Sequence, residues 1–354
     1  MDIATLVINR DIDPQHRPDF EARVRSLEEL GFAGIAMPDS QSLWPEMYVQ
    51  MSIMAMATER VTLWPATTNP LTRHPAVSAS AIASIDQLAG PGPDGAGRVW
   101  FNLGSGDSAV YNLGLQGARL AATREYIIAM KDLYLKGEAT WQGDRIRLTW
   151  PSRRVPIYLT AEGPKTLQLA GELADGVLVG NGLQPEVVAD ALENIAIGAR
   201  RAGRDPSEVD VWWFVKWNMD DDRARAVHEA RMTLTASANH AFRFTLEGKH
   251  IPDELKDPIR RLQDQYVFSE HEAHGESMRN AELVTELGLM DYLSERFTIC
   301  GPPADFTKKL TELSALGVNK VLMAFFGETD RDAKHERLAT EVLPQLPASS
   351  PATT

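Results

Sequence analysis

Apolar and polar positions along this chain fall into two alternating periods. Apolar runs of strand length lie at 2–8, 32–38, 60–66, 98–104, 155–160, 175–180, 209–217 and 318–326. Between the first two, Phe20, Val24, Leu27 and Leu30 recur at helical spacing, and Gly31 stands where that helix ends. The order returns near the end: Phe306, Leu310, Leu313 and Leu316 precede Gly317 and the run Val318–Met323. Eight buried strands separated by amphipathic helices over 354 residues predict an α/β protein built as a (β/α)8 TIM barrel. A doubly wound open sheet has the same periodicity and stays the alternative.

Two stretches interrupt the alternation. Residues 139–150 read as a small hairpin around Gly143-Asp144. Residues 220–295 are polar and helical in pattern, too long for a simple crossover and too polar for a core of their own. They predict a helical insertion between strands 7 and 8, acting as a lid. The expected organisation is one barrel domain over 1–346 and a disordered Pro- and Ser-containing tail over 347–354.

Composition narrows the partners. The formal charge is −13, from 36 basic and 49 acidic residues, with no basic run, which disfavours nucleic acid and anionic membranes. No apolar run approaches a membrane span. The segment Asp2–Ile8 has no basic flank or cleavage site and reads as a strand, so a cytoplasmic protein is expected. Cys300 is the single cysteine; it excludes an internal disulfide and reads as a buried thiol before Gly301.

In a barrel, ligands meet the loops that follow the strands. Those positions here carry Asn9; Asp39-Ser40-Gln41; Thr67-Thr68-Asn69; Gly104-Ser105-Gly106-Asp107; Ala161-Glu162-Gly163; Gly180-Asn181-Gly182; Trp213 and Trp217; and Phe325-Phe326. Small polar groups beside aromatics suit a flat ring held by backbone and amide groups, although Gly and Asn are also ordinary loop residues. The helix starts after Gly163 and Gly182 are candidate phosphate sites. Asn9, Trp213, Trp217, Phe325 and Phe326 are the expected substrate pocket. Gly104-x-Gly106-x-x-Ala109 matches a loose dinucleotide fingerprint but sits after the fourth strand, not the first. His74 can cap a helix or meet a ligand. His271-Glu272-Ala273-His274 is one residue short of the zinc-protease spacing, so no metal is expected; the two imidazoles are instead candidate proton carriers in the insertion.

Thr68-Asn69-Pro70-Leu71-Thr72-Arg73-His74-Pro75-Ala76-Val77, Gly97-Arg98 and Gly104-Ser105-Gly106-Asp107-Ser108-Ala109-Val110 together resemble the bacterial luciferase-like flavin monooxygenase family. That family includes deazaflavin (coenzyme F420) enzymes such as methylenetetrahydromethanopterin reductase. The likeness continues through Ala161–Thr166 and Leu173-Ala174-Asp175-Gly176-Val177, then more loosely to Ile299–Pro303. It implies a flavin ring at the strand ends, a non-proline cis peptide within Ala66-Thr67-Thr68-Asn69, and a phosphate on the 161–166 and 180–182 loops. Asp39, Ala66, Thr67, Thr68, Asn69, Gly104, Ser105, Asp107, Ala161, Glu162, Gly163, Gly180, Asn181 and Gly182 are then the expected cofactor residues. Asn69, His271 and His274 are the expected catalytic ones. Many deazaflavin members carry Asp-His after strand 2, whereas this chain has Asp39-Ser40. On that departure the expectation is a two-component monooxygenase. Reduced FMN would come from a separate flavin reductase by transient exchange and act with oxygen on a small aromatic or heterocyclic substrate, in a homo-oligomer. A deazaflavin (coenzyme F420)-dependent reductase or dehydrogenase on the same barrel is the alternative.

Overall fold

The computed structural model describes residues 1–354 except 152, 272–277, 326, 328–329 and 348–354. Among the described residues eleven strands form: β1 (Asp2–Leu6), β2 (Gly34–Met37), β3 (Thr62–Pro65), β4 (Phe101–Leu103), β5 (Glu138–Trp141), β6 (Asp144–Arg147), β7 (Ile157–Ala161), β8 (Gly176–Val179), β9 (Asp210–Met219), β10 (Thr298–Gly301) and β11 (Lys320–Ala324). The main sheet has nine strands, eight of them in the order β3-β2-β1-β11-β9-β8-β7-β4, with β10 paired to β9 off this path. Isolated parallel bridges Leu63↔Val99 and Thr68↔Leu103 bring the β4 segment beside β3. Eight parallel strands in cyclic sequence order, joined through helices, make the (β/α)8 barrel. β2 and β8 are buried at every position, as parallel strands covered on both faces must be. The predicted hairpin is β5 against β6, antiparallel, with Glu138 opposite Arg147.

Two compact units make up the chain: one comprises 4–179 and 193–212, the other 1–3, 180–192 and 213–354. The first carries an aromatic layer. Trp100 stacks on Tyr158 with ring centroids 4.5 Å apart and on Trp64 at 5.0 Å, and Trp212 lies 5.3 Å from Trp64. Two strand glycines make room for these rings. A Cβ at Gly34 would lie 2.2 Å from the Trp64 ring, and one at Gly176 2.1 Å from the Tyr158 ring. Glu28, on the helix Arg17–Glu29, accepts hydrogen bonds from the backbone N–H groups of Glu59, Arg60 and Val61, tying that helix to the turn before β3.

The second unit contains the 220–295 insertion, which lies between β9 and β11 and holds five α-helices among its described residues, from Arg223–Glu229 to Met290–Phe297. The expectation that it lacks a core is corrected here. Leu234, Phe242, Ile259, Leu262, Val284, Leu289, Leu293 and Phe297 bury one another in a continuous cluster. The helices are short, and some are mostly polar; Asp253–Gln265 buries only Ile259 and Leu262. Average polarity therefore hid a core assembled a few residues at a time.

Candidate active site

The end of β3 organises the first unit. The Ala66–Thr67 peptide is cis. Thr68 Oγ1 donates to Asp39 Oδ2 at 2.5 Å, and Arg73 reaches both Asp39 oxygens, at 2.6 and 3.3 Å, and Glu46 at 2.7 Å. The Arg73 guanidinium also lies 4.8 Å from the Tyr48 ring centroid. Burial opposes the charge on Arg73, but the hydrogen bonds and charge of Asp39 outweigh it and raise its pKa. Beneath it, Tyr126 donates to Ser78 at 2.7 Å, and burial pushes its phenol up to about 12.

Asn69 is 2% exposed. Its Oδ1 accepts from Leu71 and Thr72 N–H, at 3.0 and 2.9 Å, which shapes the loop as an Asx turn. Its Nδ2 has no hydrogen-bond partner among the described residues. His74 caps the helix Pro75–Ala89 through its Nδ1. Ser40, standing where the histidine of the Asp-His pair would be, and its neighbour Gln41 are tied to the segment after β4: Ser108 Oγ donates to Ser40 Oγ at 2.8 Å and Gln41 Nε2 to the Ala109 carbonyl at 2.7 Å.

The β4 and β7 ends add to the same unit. Asn102 is buried and joins the Thr67 and Thr160 hydroxyls, which touch each other at 2.5 Å. A Cβ at Gly104 would lie 2.9 Å from Thr67 Cγ2, too close unless one of the two shifts. The Ser105 carbonyl accepts from Ala118 N–H, and Asp107 stands before the short helix Ser108–Tyr111. Ala161 ends β7, Glu162 follows, and Gly163 is the N-cap of the helix Pro164–Leu173, without a side-chain cap and with open space where a Cβ would go. Asn9 donates to the Asp11 carbonyl at 2.8 Å.

In the second unit, the Gly180-Asn181-Gly182 loop is held by Arg296. This arginine is 1% exposed and donates to the Asn181 carbonyl from Nε and Nη2, at 3.2 and 3.0 Å. Trp213 is fully buried and its Nε1 donates to the Gly182 carbonyl at 2.9 Å. Trp217 packs edge-on against Phe306 and 5.2 Å from Phe325. Around them in β9, Phe214 and Lys216 are the partly exposed residues, as are Asp210 and Val211 at the strand's start, and Lys216 Nζ donates to Ser237 at 2.6 Å. His271 Nδ1 and the Tyr266 hydroxyl are 2.6 Å apart. Cys300 is buried, which raises its thiol pKa. His274 and Phe326 lie outside the described residues. Among the described residues no group of three His, Cys, Asp or Glu is placed to hold a metal ion, and no helix is long and apolar enough to cross a membrane.

Sequence reasoning missed Arg73, Asn102, Thr160, Phe214, Lys216 and Arg296 as members of these clusters. The usable signal was Asn102, a lone amide inside the three-residue apolar strand Phe101–Leu103.

The arrangement has known counterparts. The luciferase-like monooxygenase family profile matches residues 6–320. The 5,10-methylenetetrahydromethanopterin reductase of Methanolobus tindarius is 31% identical over 304 residues, covering 83% of this chain and 86% of that protein. The F420-dependent glucose-6-phosphate dehydrogenase of Nakamurella multipartita is 28% identical over 277 residues, covering 71% of this chain and 79% of that one. The structure of coenzyme F420 dependent tetrahydromethanopterin reductase from Methanopyrus kandleri superposes with a TM-score of 0.73 at 25% identity, covering 98% of this chain and 99% of that one. These similarities overturn the expectation of a two-component FMN monooxygenase. The missing Asp-His histidine was too small a departure to carry that inference, because relatives across most of the chain are F420-dependent reductases and dehydrogenases. With the profile spanning nearly the whole barrel and the strand-end chemistry in place, the chain belongs to the luciferase-like monooxygenase family.

Proposed function

We propose that this protein is a coenzyme F420-dependent oxidoreductase, working as a reductase or dehydrogenase on a small organic substrate. The single observation that carries the reading is the 31% identity, over 83% of the chain, to a methylenetetrahydromethanopterin reductase. The site fits such a cofactor on its own evidence. A buried amide N–H without an acceptor costs roughly 1–3 kcal/mol, so Asn69 Nδ2 marks a place that a ligand acceptor completes. Gly104 keeps the strand end low beside Thr67, and Gly163 leaves a helix N-terminus open to an anion.

In this reading Thr67, Thr68, Asn69 and Gly104 border the deazaflavin ring, and the helix start at Gly163 takes the anionic tail of the cofactor. Bound F420 would supply the two-electron hydride carrier. The protein's part is to orient and shield. Asp39, itself held by Arg73, fixes the Thr68 hydroxyl, and the Asx turn at Asn69 holds its amide in one direction.

The test is an anaerobic titration of F420 fluorescence with the purified protein, followed by turnover of reduced F420 against a panel of small electrophilic substrates. Quenching with turnover supports the proposal. Unchanged fluorescence and no deazaflavin-dependent turnover would sink it.

A further inference from the structure

The proton order in the Asn102–Thr67–Thr160 cluster follows from the contacts themselves. Asn102 Nδ2 lies 3.0 Å from the Pro65 carbonyl, which can only accept, so the amide orientation is set. The second Nδ2 proton then goes to Thr67 Oγ1 at 2.9 Å. Asn102 Oδ1 can only accept, so at 3.1 Å it takes the proton of Thr160. Thr160 has no other proton, and the 2.5 Å contact between the hydroxyls must therefore be Thr67 donating to Thr160. The three side chains close a ring in which every donor is spent. Each hydroxyl keeps one lone pair and no proton. Asn102 is buried, whereas Thr67 and Thr160 are partly exposed at the ends of β3 and β7.

We propose that the Thr67–Thr160 hydroxyl pair is an acceptor-only contact for an N–H or O–H donor of the bound cofactor, with Asn102 as the positioning residue that sets its polarity. This rests on the cofactor reading above and deepens it. The pair selects ligands that present a donor at this edge and rejects those that present a carbonyl, because two facing acceptors leave both unpaired. Thr160→Ser keeps the ring. Thr160→Val removes one acceptor and leaves Asn102 Oδ1 without its donor.

F420 fluorescence titrations of wild type, Thr160→Ser and Thr160→Val decide the matter, with melting temperatures measured on the unliganded proteins. Thr160→Val should weaken F420 binding roughly five- to tenfold, and Thr160→Ser should restore it. The Thr67→Val, Thr160→Val double variant should shift the melting temperature by less than the sum of the two single shifts, because breaking the ring once removes it. Neutron diffraction of the unliganded protein should show the Thr67 deuteron pointing at Thr160. Equal F420 affinity in wild type and Thr160→Val, a Thr160→Ser variant as weak as Thr160→Val, additive melting shifts, or the reverse deuteron order would each overturn the proposal. Failure of the cofactor reading shows differently: the wild type itself would leave F420 fluorescence unchanged.

Discussion

Replacing Gly163 by aspartate should move folding and binding in opposite directions. Gly163 is the N-cap of the helix Pro164–Leu173, with φ −114° and ψ 154°, a conformation that any L-residue adopts. No atom lies within 4 Å of the position a Cβ would take, so the side chain fits. Aspartate at an N-cap accepts from the first-turn N–H groups, one of which, Thr166 N–H, now reaches the Gly163 carbonyl at 3.0 Å. The gain over glycine is a few tenths of a kcal/mol, so the melting temperature should hold or rise slightly. The bound anion would meet a new negative charge. At roughly 6 Å separation and an effective dielectric of about 20–40, Coulomb repulsion is about 1.5–3 kcal/mol, or about 10- to 150-fold in affinity. Gly163→Asn supplies the same cap without the charge and should bind F420 nearly as the wild type does. The penalty for aspartate should also shrink at high salt. Fluorescence titration of both variants reads the difference. Equal affinities for the Asp and Asn variants, both folded, would refute an anion site at this helix start.

Three further outcomes are expected. Arg73→Met leaves the Asp39 carboxylate, whose side chain is 2% exposed, without its cationic partner; urea unfolding should show a loss of about 3–5 kcal/mol, and a loss under about 1 kcal/mol would contradict the clamp. Glu28→Gln should cost about 1–2 kcal/mol at neutral pH. Burial works to raise the Glu28 pKa, but three backbone N–H groups outweigh it and lower it below 4.5, so its contribution is complete above pH 4.5 and lost as pH falls through the folded value; the gap between variant and wild type should close in acid unfolding curves. Val49, Met56, Val77 and Leu88 are 49%, 65%, 57% and 51% exposed on the helices Met47–Ala57 and Pro75–Ala89; if this face joins copies of the chain, light scattering should find an oligomer for the wild type and a monomer for Met56→Glu with Val77→Glu, whereas a monomeric wild type would reject the interface.

The position of the strand-end rims was legible because it depends on local order alone. Where an apolar run stops and a helix begins, a loop must stand, and in a barrel that loop borders the ligand. Thr68-Asn69, Gly104 and Gly163 were placed after strands that way, and the structure has them just past β3, at the end of β4 and just past β7. The cofactor was not legible in the same manner. Flavin and deazaflavin are similar rings, and one residue after Asp39 does not distinguish them.

What the sequence by itself determined was therefore the succession of elements: eight strands, their helices, a hairpin and a helical insertion, each set by a period of two or about 3.6 and stopped by residues such as Gly31, whose φ is +88°. Tertiary structure decided the phase of those periods and the partners across them. A period of two in β9 does not say which face looks inward, and it is Phe214 and Lys216, not Trp213 and Trp217, that remain partly exposed. The Thr67–Thr160 contact spans 93 residues and the Arg73–Asp39 pair 34. Polar groups that far apart in the chain find each other only when strands close side by side, since a buried hydroxyl, amide or charge is stable only where the fold brings it a partner.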